Sequence, residues 1–271
     1  MSANAAAVDA RSFRLNYAAH RAAEGRAHSG AELAMLPYLD SGPLARQWSV
    51  RARSFDALVA RIVLPAAIAR GGALSILDLG AGCGWLCYRT AAMGHSTVAL
   101  DIRDDCVDGL GAAAWYLQRD ARLFARVSAS FDALPLAERQ FDLVVFNASI
   151  HYALDLETVI REAARVTRAG GRLVIVDSPF YRDEKSGVAM VEEKRRRGAE
   201  HFGSLAESLL APTFVEFLTP ARLARAAGDL ALVWRRHRVN YPLWYEMRAV
   251  TALLCGRRPP SRFDLWECTV S

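Results

Sequence analysis

Ile76-Leu77-Asp78-Leu79-Gly80-Ala81-Gly82-Cys83-Gly84 joins a short apolar run to three glycines at alternate positions, and Trp85 to Met93 then reads as a helix closed by Gly94. An apolar run with little solvent face is the mark of a strand buried in a parallel sheet. Glycines just past its end let the chain turn sharply and let a ligand approach without a Cβ in the way, while the helix beyond offers free N–H groups to an anion. An ordinary strand-to-helix turn would use the same residues. The spacing separates the possible ligands. A dinucleotide fingerprint needs GxGxxG, whereas here the third glycine comes one residue early and Trp85 fills the expected slot. A pyrophosphate is therefore disfavoured. Further on, Ala99-Leu100-Asp101 ends the next apolar run with a carboxylate, suited either to the vicinal hydroxyls of a ribose or to capping a helix.

Working outward, short apolar runs alternate with longer amphipathic stretches, which predicts an α/β fold with a parallel sheet covered by helices. Strands are predicted over Ser75 to Gly80, Thr97 to Asp101, Leu123 to Ser128, Phe141 to Asn147 and Arg172 to Asp177, with a helix over Val107 to Leu117. The run FDLVVFN at 141–147 should be central. Asp155 and Glu157 open a further helix, which Gly170-Gly171 is expected to end. Thr219-Pro220 starts another that stops before Gly228. Leu230 to Val239 and Arg262 to Val270 are the last two expected strands, the second antiparallel. Upstream, residues 1–70 are predicted to form a helical cap on the sheet, notably Gln47 to Arg70 with apolar positions at Trp48, Phe55, Leu58, Val59, Ile62 and Val63. Residues 71–271 form the main domain, with a polar, lid-like insertion at about 178–218.

The chain has 271 residues, 52% hydrophobic and 23% charged, which excludes disorder as the main state and allows one large domain with appendages. The net charge of +5 comes from the C-terminal end, where residues 219–271 hold nine arginines against four carboxylates. A basic end of this kind meets nucleic acid or an anionic membrane surface in some proteins, but here the arginines are scattered without aromatic interleaving, so nucleic acid is not the expected partner. Cys83, Cys87, Cys106, Cys255 and Cys268 form no CxxC pair, fitting neither a disulfide framework nor a zinc site. Reduced thiols, no metal and a cytoplasmic location are the expectation. Met1 to Ala10 lacks the pattern of a leader, and no apolar stretch is long enough to span a bilayer.

Four blocks in order, LDLGAGCG, the ALD strand end, FDALPLAERQFDLVVFNASIHY and RAGGRLVIVD, resemble the class I S-adenosylmethionine-dependent methyltransferases, in particular the small-molecule branch typified by ubiquinone and menaquinone C-methyltransferases. The resemblance covers Leu74 to Asp177. It implies a Rossmann-like, seven-stranded, mostly parallel sheet with one antiparallel strand and helices on both faces. It also implies S-adenosyl-L-methionine as cofactor. Gly80, Ala81, Gly82, Cys83 and Gly84 would line its methionine portion, with Asp78 near the amino group, Asp101 at the ribose and Ile102 against the adenine. Relatives often carry a carboxylate at the end of the third strand, in a pattern DAExLP, to meet the adenine amino group. Here Ser130 takes that place in Ser130-Phe131-Asp132-Ala133-Leu134-Pro135, so either Asp132 compensates or Phe131 and backbone groups hold the ring. Asn147 closes the fourth strand beneath the expected sulfonium.

His151 and Tyr152 follow and are the candidates for facing a methyl acceptor, with Asp177 at the end of the next strand in a similar position. Packing beneath the following helix is the alternative for His151. The reaction implied is in-line displacement at the sulfonium carbon, with His151 as base if the acceptor must lose a proton. A small-molecule acceptor is the leading expectation. An RNA or protein methyltransferase and a catalytically silent cofactor-binding scaffold are the alternatives. Tyr17 and Trp48 are candidates for closing over the site, Trp48 equally for anchoring its helix in the core. His20 and His28 are expected to be solvated, and Lys194 to Arg197 to form an exposed helix face.

Overall fold

The computed structural model describes residues 25–202 and 214–271, with the backbone alone for 198–202. Seven strands form one sheet: β1 (Ser75–Leu79), β2 (Ser96–Asp101), β3 (Ala125–Ser128), β4 (Phe141–Asn147), β5 (Thr167–Val176), β6 (Arg235–His237) and β7 (Leu265–Thr269). Their spatial order is β3-β2-β1-β4-β5-β7-β6. Only β7 runs against its neighbours, pairing antiparallel with both β5 and β6, as expected. β4 lies in the middle because Leu143 to Phe146 are buried on both faces, which only an inner strand permits.

Strand alternation divides the core in two. Ile76, Ala99, Leu143, Val145 and Val174 face one apolar cluster, and Leu77, Leu100, Val144, Phe146 and Ile175 face the other. The first cluster is covered by α1 (Gly30–Met35), by α2 (Ala45–Leu58) continuing through a π-helical stretch at Val59–Val63 into α3 (Leu64–Arg70), and by α4 (Trp85–Ala92). The second is covered by α6 (Leu156–Val166) and α8 (Pro220–Ala227). Along α2 and the π-helical stretch that follows it, the stripe Val50, Ser54, Leu58, Ile62 points inward, all four buried, so this part of the predicted cap packs on the sheet. Residues 1–24 of the cap lie outside the described residues.

Several boundaries differ from expectation. The helix predicted over 107–117 shrinks to α5 (Ala114–Leu117). The Asp105 carboxylate accepts the N–H groups of Val107 and Asp108, both at 3.0 Å, fixing a side-chain turn that competes with helix. Gly109 and Gly111 press so close to the backbone of 103–105 that no Cβ would fit. Gly170-Gly171 does not end α6. The helix stops at Val166, and both glycines belong to β5, bonded to Val270 at 2.7 and 2.9 Å. The strands predicted at 123–128, 230–239 and 262–270 are shorter, and β6 keeps only three residues. Of the lid-like insertion, Glu184–Phe202 is helix α7 and residues 203–213 lie outside the described residues.

Candidate functional site

β1, β2, β4 and β5 are parallel, with Leu79 opposite Leu100 and Phe146, and Asn147 opposite Val176. Their carboxyl ends therefore meet at one edge, where open α/β sheets hold ligands. Alternation places Asp78, Asp101 and Asn147 on the same face, under the helices of the first cluster. Asp78 is 1% exposed, and neither carboxylate oxygen has a hydrogen-bond partner among the described residues. Burial, and then the nearby Asp101 carboxylate, push its pKa well up. Asn147 Oδ1 is buried and partnerless in the same way.

Asp101 ties the loop together. It accepts the Gly82 and Arg103 N–H groups at 2.8 Å each, which leaves lone pairs for further donors. Burial raises its pKa against the pull of those N–H groups and of the Arg103 guanidinium. The Gly80 and Ala81 N–H groups both donate to Leu100 O, at 2.7 and 3.0 Å, stapling the end of β1 to β2. Gly80 has φ +76°, and a Cβ there would lie 2.3 Å from Ser149 Cβ. Gly84, in the left-handed region, opens α4 without a side-chain cap. Ala81 and Cys83 send their side chains into the core, and burial lifts the Cys83 thiol to about 12.

Phe131 stands edge-on to Phe146 with centroids 6.2 Å apart and lies 3.7 Å from the Gly80 Cβ position. Ser130 and Asp132 flank it, half-buried, in a turn held to β2 by Ala129 N–H donating to Asp101 O at 3.1 Å. Ile102 is 44% exposed beside Asp101. The structure thus gathers Asp78, the loop, Asp101, Ile102, Phe131 and Asn147 at one end of the sheet.

The rest of that end rests on contacts distant in sequence. His151 lies in a single turn of 3-10 helix, its ring 4.3 Å from that of Tyr152 and its Nδ1 3.5 Å from Ser178 Oγ. Tyr152 packs edge-on against Phe214, and His151 O accepts the Glu216 N–H at 2.8 Å. Both candidates therefore sit between the ends of β4 and β5 and the segment after the insertion. Asp177 has φ +52°, a left-handed residue at the end of β5. Its Oδ1 accepts the Ser54 hydroxyl, and Oδ2 has no partner among the described residues. Ser54 Oγ lies 2.9 Å from the Tyr241 hydroxyl, which donates to Phe263 O at 2.7 Å. Burial pushes the Asp177 pKa up, opposed by Arg51 and by the Ser54 hydroxyl. Ser54, Tyr241 and Ser149 were absent from the sequence-based candidates. Ser54 carried a signal, as the polar member of the buried stripe 50, 54, 58, 62, whereas Tyr241 carried none.

Trp48 is a core anchor, edge-on to Trp85 at 6.0 Å. His28 departs from the expected solvated state. It is half-buried against Trp48, with centroids 5.4 Å apart, and burial lowers its pKa. Tyr17 and His20 lie outside the described residues. Arg195 to Arg197 are exposed as expected, and Lys194 pairs with Glu216 at 2.7 Å. Much of the basic C-terminal end is neutralised internally: Arg236 and Arg262 hold Asp264, Arg262 also holds Glu246, and Arg258 pairs with Glu193. No helix among the described residues is long and apolar enough to cross a membrane.

Residues 77–175 match the family model for a methyltransferase domain. A malonyl-[acyl-carrier protein] O-methyltransferase of Erwinia pyrifoliae is 34% identical over 107 residues, 38% of this chain and 37% of that protein. A demethylmenaquinone methyltransferase of Mycolicibacterium paratuberculosis is 33% identical over 111 residues, 41% of this chain and 44% of that protein. The chain thus spans less than half the length of these curated relatives. Among solved structures, a magnesium protoporphyrin IX methyltransferase of Synechocystis with bound SAH matches with a TM-score of 0.54 at 17% identity, covering 90% of this chain and 96% of that one. At that identity the likeness is one of fold.

Proposed function

We propose that the chain is a class I S-adenosylmethionine-dependent methyltransferase, its residues 77–175 matching the family model for a methyltransferase domain, and that it transfers the methyl group of S-adenosyl-L-methionine to a small-molecule acceptor. The observation that carries this reading is the buried carboxylate of Asp78, which has no hydrogen-bond partner among the described residues. An isolated buried anion is costly unless a cation meets it, and the cofactor's ammonium group is such a cation.

The residues present fit the cofactor. Asp78 would hold the amino group, the backbone of Gly80, Ala81, Gly82, Cys83 and Gly84 the methionine portion, and the spare lone pairs of Asp101 the ribose hydroxyls. Phe131 and Ile102 supply apolar surface for the adenine, with Ser130 and Asp132 at its edge and Asn147 at the end of β4. The bound sulfonium supplies an activated methyl carbon. The chain contributes orientation and exclusion of water. His151 and Tyr152 would face the acceptor, and His151 has the intrinsic pKa to take a proton near neutrality. The relatives, whose names include a demethylmenaquinone methyltransferase, support a small-molecule acceptor. Five cysteines with no CxxC pair fit a reducing compartment, the cytoplasm.

The test is calorimetric titration with S-adenosylmethionine, S-adenosylhomocysteine and, as control, NADH. The expected result is micromolar binding of the first two and none of NADH, with Asp101→Asn weakening both by about 10- to 100-fold, the worth of a hydrogen bond to a charged group. Absence of binding overturns the reading. In a subsequent acceptor screen, His151→Ala turning over at wild-type rates across pH would remove the base assignment.

A further inference from the structure

The helix α9 (Leu243–Leu254) lies in the connection between β6 and β7. Because β6 runs parallel to β5, that connection emerges at the same end of the sheet as Asp177, and Tyr241 reaches Ser54 from it. Its inward face is held by Tyr245, which is buried and packs 4.3 Å from the Tyr241 ring. Its outward face is apolar. Leu243, Met247, Val250 and Leu254 fall on one stripe at helical spacing, with Trp244 and Leu253 beside it. Leu243, Leu253 and Leu254 are each more than three-quarters exposed, and Trp244, Met247 and Val250 are 40–45% exposed. Six large apolar side chains on three turns far exceed the scattered exposure usual on a soluble surface.

The charges around this face are mostly positive. Arg46 stands over the Trp244 ring at 5.7 Å. Arg248 donates to the carbonyls of Tyr245 and Ser261, and Arg257 is exposed. Among the described residues none of these three arginines is paired with a carboxylate, and the helix's own acid, Glu246, is held on the flank by Arg262 and Arg238. A cavity of about 230 Å³ opens among Trp244, Arg248, Thr251, Ala252 and Arg257. The Arg257 guanidinium and the Arg248 N–H groups not given to Tyr245 O and Ser261 O suit the oxygens of a phosphate, while the Thr251 hydroxyl already donates to Met247 O at 3.0 Å.

We infer that α9 is a docking surface for an anionic phospholipid bilayer, its apolar stripe entering the acyl boundary and its arginines meeting headgroup phosphates. A helix with protruding leucine tips, an interfacial tryptophan and a mostly cationic rim is the pattern of an element lying in a membrane interface. A second copy of the chain is a poorer occupant, because a two-fold contact sets the same arginines against each other. An acidic protein would match the charge, but the leucine side chains stand out into solvent, which suits insertion into an acyl boundary better than reception of a partner's apolar anchors. The inference is independent of the methyl-transfer reading, whose titration is read without lipid.

The experiment is co-sedimentation of the full chain with vesicles of phosphatidylcholine alone and of phosphatidylcholine mixed equally with phosphatidylglycerol. Partition onto the anionic vesicles should be about tenfold stronger or more, as three arginines near a charged surface predict, and should fall with added salt. Met247→Glu combined with Leu254→Glu should abolish it, and Arg257→Ala should weaken it several-fold, with melting temperature and S-adenosylhomocysteine affinity unchanged. Partition indifferent to lipid charge, or unaffected by both variants, overturns the inference. So does a concentration-dependent doubling of mass that the double variant removes, which assigns the face to a second copy, and so does capture by polyglutamate without vesicle binding. If the double variant fails to fold, the salt dependence and Arg257→Ala decide.

Discussion

At the ends of β1 and β2 the crevice is made of backbone. Gly80 and Ala81 are stapled to Leu100 and Gly82 to Asp101, and every participant falls within residues 78–101. At the ends of β4 and β5 it is made of side chains brought from far apart. Asp177 meets Ser54 across 123 residues, and Ser54 meets Tyr241 across 187. The first half closes through contacts local in sequence, and its carboxylate Asp78 has no hydrogen-bond partner among the described residues. The second half is a junction of the cap, the sheet and the β6–β7 connection, so its geometry depends on how those layers dock. A cofactor shared by a whole family suits the first kind of construction, and an acceptor that differs among relatives suits the second.

Breaking the first half should have the largest effect. Gly80→Ala sets a Cβ 2.3 Å from Ser149 Cβ at a φ of +76°, adding overpacking to left-handed strain. Stability should fall by about 2–4 kcal/mol, read by denaturant unfolding, and cofactor binding should disappear in calorimetry. Wild-type melting would mean that Ser149 yields freely and that the loop is not rigid. Asp78→Asn should act in the opposite sense on stability. Burial sets the folded pKa of Asp78 above its unfolded value, so its contribution to stability is complete below the unfolded pKa and is lost as the pH rises through the folded one. The amide removes that loss. The cofactor-free variant should be more stable than wild type by about 1–3 kcal/mol on the alkaline side of the folded pKa and show no gain in acid, while binding S-adenosylhomocysteine more weakly. A variant less stable than wild type across the whole pH range would show that the carboxylate has a partner in solution.

The same contrast explains what the sequence disclosed. The glycine spacing, the ALD strand end and the run FDLVVFN are local patterns, and the structure has β1, β2 and β4 where those patterns place them. The helix expected over 107–117 failed because its apolar spacing was also compatible with tight turns. What decided was the Asp105 side chain together with Gly109 and Gly111, packed against 103–105. Gly170-Gly171 looked like a helix stop, yet Val270 from the far end of the chain recruited both glycines into the sheet. His151 was visible from its place after β4, but its proximity to Ser178 was not. Ser54 was visible only as an anomaly in an apolar stripe, and no spacing rule ties it to Asp177 or Tyr241.

Ser54→Ala asks whether the two halves are independent, and its effect should be the smallest of the three. It leaves Asp177 without its hydroxyl donor, while Tyr241 keeps its bond to Phe263 O, so stability should fall by about 1–2 kcal/mol. Because the Ser54 hydroxyl lowers the Asp177 pKa against burial, its removal should raise that pKa further. The carboxyl then stays protonated to higher pH, and its contribution to stability persists to higher pH before it is lost. Cofactor affinity should be unchanged and the acceptor KM altered, since the disturbed carboxylate lies on the β5 side of the crevice. Combined with Asp78→Asn, the stability changes should add, as they do for sites without shared partners. A drop in S-adenosylhomocysteine affinity with Ser54→Ala alone, or strong non-additivity in the pair, would show that docking of the cap also sets the glycine loop and that the crevice is one unit rather than two.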